Sequence, residues 1–279
     1  MATIFVRRII GDARYTSAAS NPLHARFVDN LRAMSIETEE ELEGLRRAGR
    51  VVADVLRELR RRVQVGVRTD ELDRVAGRVF ARHGARSAPK LVYGAPSEVF
   101  ISVNDAAVHG VPGPRRLRRG DLVKLDVTAE LDGFYADACI TVACGSASPA
   151  GRRLISAADA ALRRAMNLAS AGALVRDLSA AITDEAAARG VAVLDDLGGH
   201  GIGRTIHEPP SVPNAPDLAD ATRLHDGLVI TIEPILGAGG PEIRESGDGW
   251  TIRTADGALA AHAEHTIVVT GGRPLVLTA

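Results

Sequence analysis

The chain has 279 residues, of which 46% are hydrophobic and 25% charged, and its formal net charge is −1. This composition is typical of a globular protein that is long enough to bury a sizeable core. The balanced charge and the 3% content of aromatic residues argue against a nucleic-acid partner. The chain also has no run of about 18 apolar residues, so we predict no membrane span and no membrane partner.

The N-terminal 34 residues differ in character from the rest of the chain. They mix apolar, basic, serine-rich and proline-containing stretches. We therefore predict a partly disordered extension over residues 1–34, followed by one main domain over residues 35–279.

Two amphipathic helices are expected at the start of the main domain. Thr38 has capping-box spacing to a glutamate three residues later, and apolar residues then recur at helical intervals to about Arg62. A second helix is expected to be capped by Thr69 or Asp70 and to end at Gly84.

A β-hairpin follows. The β-rich runs Leu122–Leu131 and Phe134–Ala143 flank Asp132-Gly133, a pair that favours a two-residue hairpin turn. In such a hairpin Asp126 and Asp137 are diagonal neighbours on one face, roughly 7–8 Å apart at the backbone. Carboxylates so placed can reach two ions about 3.5–4 Å apart. The alternative is a pair of exposed aspartates on a half-solvated sheet.

The chain has two cysteines: Cys139 lies on the second strand of this hairpin, and Cys144 directly follows that strand. They are too few for a disulfide framework. A reducing, cytoplasmic compartment is therefore expected.

The second half of the chain repeats the plan of the first. A shift of 106 positions aligns Gly66 with Gly172 and Gly84 with Gly190. Two helices thus precede β-rich sequence in each half, which indicates an internal duplication. Beyond the second pair of helices we expect three strands and one proline-rich loop, at Val191–Leu194, Leu228–Ile235, His262–Thr270 and Pro209–Pro216 respectively.

Further metal-type ligands stand in several stretches. His109 precedes a Gly/Pro loop and by itself favours an ordinary loop histidine. His200 and His207 lie in a glycine-rich stretch where backbone and ligand can approach closely, although a flexible loop is the alternative. Glu233 and Glu264 each stand in an apolar β-run, as do the two hairpin aspartates. Four carboxylates in apolar strands are hard to explain as independent accidents.

Five ordered motifs resemble those of type I methionine aminopeptidases of the pita-bread fold: SVNDAAVHGVP, DLVKLDVTAELDGFYADACITV, GHGIGRTIHEPP, ITIEP and AEHTIVV. The resemblance covers about Ser35 to Thr270. It implies an α+β fold with two pseudo-symmetric ααβ halves around a curved antiparallel sheet. It also implies removal of N-terminal methionine from peptides or nascent chains through a water activated by two metal ions.

The resemblance further implies the ligands of two divalent ions, which are Asp126, Asp137, His200, Glu233 and Glu264. Asp137 and Glu264 would bridge both ions, and Glu233 would also handle protons. His109 and His207 would lie beside the amide and carbonyl of the substrate. Such an oxygen-rich set with one imidazole suits Mn²⁺, Fe²⁺, Co²⁺ or Zn²⁺ without selecting among them.

The substrate pocket departs from the family pattern. Trp250 matches it, but Val92, Ala95 and Phe100 stand where relatives commonly have aromatic and cysteine residues, and Ile206 replaces an aromatic residue. The expected substrate-binding residues are His109, His207, Phe100, Ile206 and Trp250.

Three functions remain open from the sequence. The first is a monomeric methionine aminopeptidase. The second is a divergent aminopeptidase for another N-terminal residue or a specialised peptide, which the altered pocket motivates. The third is a metal-free binding module that keeps the fold.

Overall fold

The computed structural model describes residues 35–279, so the expected extension over residues 1–34 lies outside the described residues. The helices are α1 (Glu39–Arg62), α2 (Thr69–His83), α3 (Ala88–Tyr93), α4 (Pro149–Leu168) and α5 (Val175–Ala188). The first strands are β1 (Arg86–Ser87), β2 (Phe100–Val103), β3 (Ala106–Val108), β4 (Leu122–Leu131), β5 (Phe134–Ala143), β6 (Ala192–Val193), β7 (Gly198–Gly201) and β8 (Glu208–Pro213). The later strands are β9 (Val229–Ile232), β10 (Ile235–Gly237), β11 (Ile243–Glu245), β12 (Ile252–Thr254), β13 (Ala260–His262), β14 (His265–Val268) and β15 (Leu275–Val276).

Across residues 35–279, none of the helices combines the length and the apolar character that a membrane span requires.

Helices α1 and α2 have nearly the predicted bounds. The hydroxyl of Thr38 accepts a hydrogen bond from the third residue of α1, whose carboxylate bonds back to the Thr38 N–H, and this completes the predicted capping box. The predicted cap of α2 is wrong, because Arg68 occupies the cap position and Thr69 is already helical. The Thr69 hydroxyl instead exchanges hydrogen bonds with the backbone of Gly113 in a distant loop.

The two halves share local structure where their second helices begin. Gly66 and Gly172 both have positive φ angles, 90° and 92°. Their N–H groups donate to the carbonyls of Leu117 and Leu224, each at 2.8 Å. The repeated conformation and pairing support the internal duplication that the sequence indicates.

Strands β4 and β5 form the predicted hairpin with the predicted bounds. Asp132 and Gly133 have φ angles of 54° and 82°, and two positive values at the turn are what an Asp-Gly hairpin favours. Asp126 pairs with Cys139, and Asp137 stands two positions before that cysteine. The two aspartates are therefore diagonal neighbours on one face, as predicted.

The flanking residues of β4 show which face this is. Leu125 and Val127 are fully buried in an apolar core that α1 and α2 share with β2, β4 and β5. Because side chains alternate along a strand, Asp126 between them faces away from these helices. A second core lies between α4, α5 and the strands of the second half.

The named strands pair antiparallel and form four sheets. Strands β1, β2, β4 and β5 make a four-stranded sheet, and β15-β14-β9-β7-β8 make a five-stranded one. Two three-stranded sheets have the orders β13-β10-β6 and β11-β12-β3. The larger sheets meet where the Thr266 hydroxyl accepts from the N–H of Asp137 at 2.8 Å and donates to its carbonyl at 2.7 Å.

Two strands predicted to be continuous are interrupted. In the stretch Leu228–Ile235, β9 ends before Glu233 and β10 begins at Ile235. The stretch His262–Thr270 begins at the last residue of β13 and contains β14, with Glu264 between the two strands. Pro234 has no N–H with which to continue its ladder, and the N–H of Glu264 bonds to a carbonyl of β5. Both interruptions thus coincide with predicted metal ligands.

The remaining predicted strand and loop are only partly correct. The strand predicted over Val191–Leu194 is shortened to β6. The loop predicted over Pro209–Pro216 is wrong in its first half, where β8 forms the edge of the five-stranded sheet. An edge strand leaves some N–H positions unpaired, so it tolerates proline where a central strand would not.

Candidate metal centre

The five predicted ligands converge where the hairpin meets the interrupted strands. The hairpin provides two, β7 provides one, and the interruptions provide two, and these are Asp126, Asp137, His200, Glu233 and Glu264. Asp126 and Asp137 precede Glu264 by 138 and 127 positions, so residues far apart along the chain meet in a single centre.

Five side chains form two groups that share one carboxylate. Donor atoms of Asp137, His200 and Glu264 lie within 4.8 Å of one another. Donor atoms of Glu233, His262 and Glu264 form a second group within the same limit. Such spacing suits side chains that coordinate common ions, and the membership of Glu264 in both groups suits a bridging carboxylate.

The carboxylates of the centre resist ionisation. Burial raises the pKa of Asp137 to about 6. Burial, followed by the charges of neighbouring carboxylates, holds the pKa well above its ordinary value for Asp126, Glu233 and Glu264. Within residues 35–279, Glu233 and Glu264 have histidine nitrogens at ion-pair distance, and none of the four carboxylates has a Lys or Arg at that distance. Divalent cations would supply the missing positive charge.

Several buried donor atoms lack partners in the described part of the chain. Oδ2 of Asp137 accepts a hydrogen bond from the Thr128 hydroxyl at 2.8 Å, whereas Oδ1 has none. Both ring nitrogens of His262 are likewise without a hydrogen bond. Buried polar atoms are normally satisfied, so these atoms fit a bound metal ion.

His200 is oriented by its neighbours. Its Nδ1 lies 2.9 Å from the carbonyl of Gly201, so the ring proton on Nδ1 leaves the lone pair of Nε2 available, 3.6 Å from Oε1 of Glu233. Burial lowers the pKa of His200 to about 4, which favours the neutral, metal-binding form. The hydroxyl of Thr231 accepts from the His200 N–H and donates to Oε1 of Glu233, which couples the two ligands.

The glycines beside His200 are required by close backbone packing. A Cβ on Gly199 would lie 2.4 Å from the carbonyl oxygen of Thr231, and one on Gly201 would lie 2.2 Å from that of Pro209. These distances are shorter than any ordinary contact. Strands β8 and β9 can therefore approach β7 closely enough to hold His200 in place only because glycine flanks it.

Two further histidines lie near the centre. His109 has a left-handed backbone with a φ of 54°, and burial followed by the charge of His200 lowers its pKa to about 4. The rings of His207 and His200 are 4.1 Å apart between centroids. Nδ1 of His207 lies 2.6 Å from the hydroxyl of Tyr93. Burial holds the pKa of His207 well below its usual value and raises that of Tyr93 to about 12, so both are neutral near pH 7.

The predicted pocket residues have different positions. The ring of Phe100 lies 5.1 Å from that of His109 and 5.8 Å from that of Trp250, measured between centroids. Ile206 is buried and directly precedes His207. Val92 is 43% exposed, so it is poorly placed to shape a buried pocket.

Sequence reasoning missed two residues, His262 and Tyr93. The first stands two positions before Glu264, and strand alternation could have indicated that both share a face. Tyr93 lies on the short helix α3 and is 114 positions from His207, so no local pattern connects the two.

Comparisons with known proteins identify the family of the chain. The model of metallopeptidase family M24 matches residues 43–271. The chain is 38% identical over 247 residues to methionine aminopeptidase 2 of Bacillus subtilis, covering 88% of this chain and 99% of that protein. It is 39% identical over 248 residues to methionine aminopeptidase of Escherichia coli, covering 88% and 94% respectively.

Solved structures show the same relationship. The methionine aminopeptidase of Thermotoga maritima superimposes with a TM-score of 0.85 at 32% identity, over 89% of this chain and 99% of that one. The prolidase of Pyrococcus furiosus, with a TM-score of 0.72 and 23% identity over 91% of this chain and 67% of its own, shares the fold alone. The predicted pita-bread fold is confirmed.

Proposed function

Because the chain belongs to metallopeptidase family M24, we propose that its buried carboxylates and His200 hold two divalent metal ions for peptide hydrolysis. The protein is a metal-dependent aminopeptidase that removes N-terminal methionine, like the type I enzymes it resembles. The observation that carries the metal proposal is the pair of three-residue donor groups sharing Glu264.

The ligand roles that we propose are those implied by the resemblance to type I methionine aminopeptidases. Asp137 and Glu264 would be ligands of both ions, Asp126 would be a ligand of one, and His200 and Glu233 would be ligands of the other. The four carboxylates balance the four positive charges of two divalent ions. Mn²⁺, Fe²⁺, Co²⁺ and Zn²⁺ all suit such a set. When bound, these ions polarise a carbonyl group and lower the pKa of water.

The side chains supply proton transfer and orientation. We assign Glu233 to accept the proton of the attacking water and to deliver it to the leaving amine. Tyr93 keeps its proton near pH 7 and can donate it to Nδ1 of His207. Nε2 of His207 then carries the proton that can stabilise the substrate carbonyl. We assign neutral His109 to the substrate amide, as the resemblance implies.

Aromatic rings support the choice of methionine. The ring of Phe100 lies beside those of both His109 and Trp250, and we propose that Phe100 and Trp250 form the apolar wall of the first-residue pocket. A thioether makes favourable contacts with aromatic rings, worth roughly 0.3–1.5 kcal/mol each. The partner of the enzyme is thus the N-terminus of a peptide or nascent chain.

The setting of the reaction is also proposed. All the proposed ligands belong to one chain, which supports activity as a monomer. Cys139 and Cys144 are both free and buried, which supports the cytoplasm as the compartment.

Peptides that differ only at the first residue test the substrate assignment. With Mn²⁺ or Co²⁺ present, Met-Ala-Ser should be cleaved faster than the corresponding Leu, Ala and Phe peptides. Faster cleavage of one of the others would assign the enzyme to that residue instead. The altered positions around Phe100 make this alternative the second candidate function.

Tyr93→Phe is expected to lower kcat/KM for Met-Ala-Ser about 10-fold, because it removes one hydrogen bond worth about 1.4 kcal/mol. The loss should lie mainly in kcat, since the hydroxyl orients His207 for the transition state. Tyr135→Phe, on β5, provides the matched control and should leave the kinetics unchanged. Equal activity of the Tyr93 variant and the wild type would contradict the proposed role of the hydroxyl.

A further inference from the structure

His262 is a buried histidine that none of the proposed catalytic roles uses. It ends strand β13, and 2% of its surface is exposed. Nε2 lies 3.5 Å from Oε2 of Glu233 and 3.5 Å from Oε2 of Glu264. The ring therefore faces the two interruptions that carry metal ligands.

The backbone of His262 is fixed as firmly as that of Asp137. The hydroxyl of Thr141 on β5 accepts from the His262 N–H at 2.9 Å and donates to its carbonyl at 2.7 Å. Thr266 holds the backbone of Asp137 by the same reciprocal pair of hydrogen bonds. The hydroxyls of Thr141 and Thr266 thus connect β5 to β13 and β14, the two strands beside Glu264. The hydrogen bonds of Thr141 position the His262 ring.

The two distances at Nε2 distinguish metal binding from hydrogen bonding. Hydrogen bonds from N–H to oxygen span about 2.7–3.2 Å, so 3.5 Å is too long for either carboxylate. Nitrogen and oxygen atoms that bind one ion at about 2.1 Å with tetrahedral angles lie roughly 3.4 Å apart. Nε2 stands at this separation from both carboxylates.

We propose that His262 is a further metal ligand, binding through Nε2 the ion that Glu233 and Glu264 share. The inference rests on the proposed metal centre and adds a second imidazole to it. The centre then has two histidine nitrogens, His200 and His262, among its carboxylate oxygens. Imidazole favours Zn²⁺ and Co²⁺ over Mn²⁺, so His262 moves the preference of the centre toward the former ions.

Nitrogen NMR of the full chain with ¹⁵N-labelled histidine rings tests the proposal. Zn²⁺ added to chelator-treated protein should shift one ring nitrogen in each of two histidines to the position of a metal-bound nitrogen. The wild-type spectrum decides the question without any variant. One shifted ring would overturn the role of His262 and leave the metal centre intact, whereas no shifted ring would overturn the proposed centre itself.

His262→Gln provides a second measurement. Glutamine can donate a hydrogen bond from a similar position but does not replace an imidazole ligand. We expect one metal-bound ring nitrogen instead of two, and Zn²⁺ affinity at least about 10-fold weaker by calorimetry, with a smaller loss for Mn²⁺. His225→Gln makes the same change on an exposed loop and should preserve both signals. Unchanged Zn²⁺ affinity in His262→Gln would contradict ligation.

Discussion

Replacing Asp137 with asparagine is expected to lower kcat/KM for Met-Ala-Ser by at least about 1,000-fold, which corresponds to ~4 kcal/mol of transition-state stabilisation. Asparagine keeps the volume of the side chain and can still accept the Thr128 hydrogen bond. It removes the negative charge and the second oxygen donor that a bridging ligand needs. Metal affinity should fall together with activity, and Asp137→Ala should show the same coupled loss.

An aspartate outside the centre controls for the substitution itself. Asp132→Asn changes the exposed hairpin turn, where asparagine also tolerates the observed positive φ of 54°. It should retain the activity and metal content of the wild type. Turnover retained in Asp137→Asn, with both ions bound, would contradict the bridging role of Asp137.

Without metal, the wild-type protein should lose stability relative to the Asp137→Asn variant as the pH rises from about 4 to about 6. Burial raises the pKa of Asp137 from 3.8 to about 6 in the folded state. Below the lower value both folded and unfolded chains are protonated, and the residue has no effect on the balance between them. Between the two values the unfolded chain releases its proton first, which favours unfolding.

Above about pH 6 the loss of folding stability caused by the buried Asp137 carboxylate reaches its full value of roughly 3 kcal/mol, since each pKa unit corresponds to about 1.4 kcal/mol. Urea unfolding of both chelator-treated proteins at pH 4.5 and 7.5 measures it. The variant should be more stable than the wild type at pH 7.5, by a margin that shrinks at pH 4.5. A margin independent of pH would show that the Asp137 carboxylate does not carry this cost.

Metal should reverse the order of stability. An ion that binds the folded wild type but not the unfolded chain stabilises the fold by about 4 kcal/mol when its concentration is 1,000 times its dissociation constant. Saturating Mn²⁺ should therefore make the wild type the more stable protein at pH 7.5. If Asp137→Asn gains as much stability from Mn²⁺ as the wild type does, Asp137 is not a ligand.

How far the sequence predicts the centre depends on how local each determinant is. Asp132-Gly133 determines the turn, the turn determines the register, and the register places Asp126 and Asp137 on one face. All these steps involve neighbouring residues, so pattern and propensity were sufficient. The motif resemblance then related the hairpin to distant proposed ligands such as Glu264.

What the sequence did not predict depends on tertiary contacts. The cap of α2 moved to Arg68 because a remote backbone segment bonds the Thr69 hydroxyl. The interruption at Glu264 arises because its N–H bonds to β5, which no property of its own strand predicts. Strand alternation relates His262 to Glu264, but the backbone of His262 is held in place only once Thr141 joins β13 to the hairpin.

The proposed dinuclear metal centre is tested most directly by titrating chelator-treated protein with Mn²⁺ or Co²⁺ and measuring bound ions and Met-Ala-Ser turnover on the same samples. Turnover should be absent without metal, and binding should saturate at two ions per chain. Full turnover of the metal-free protein, or the absence of stoichiometric metal binding, would contradict a catalytic dinuclear centre.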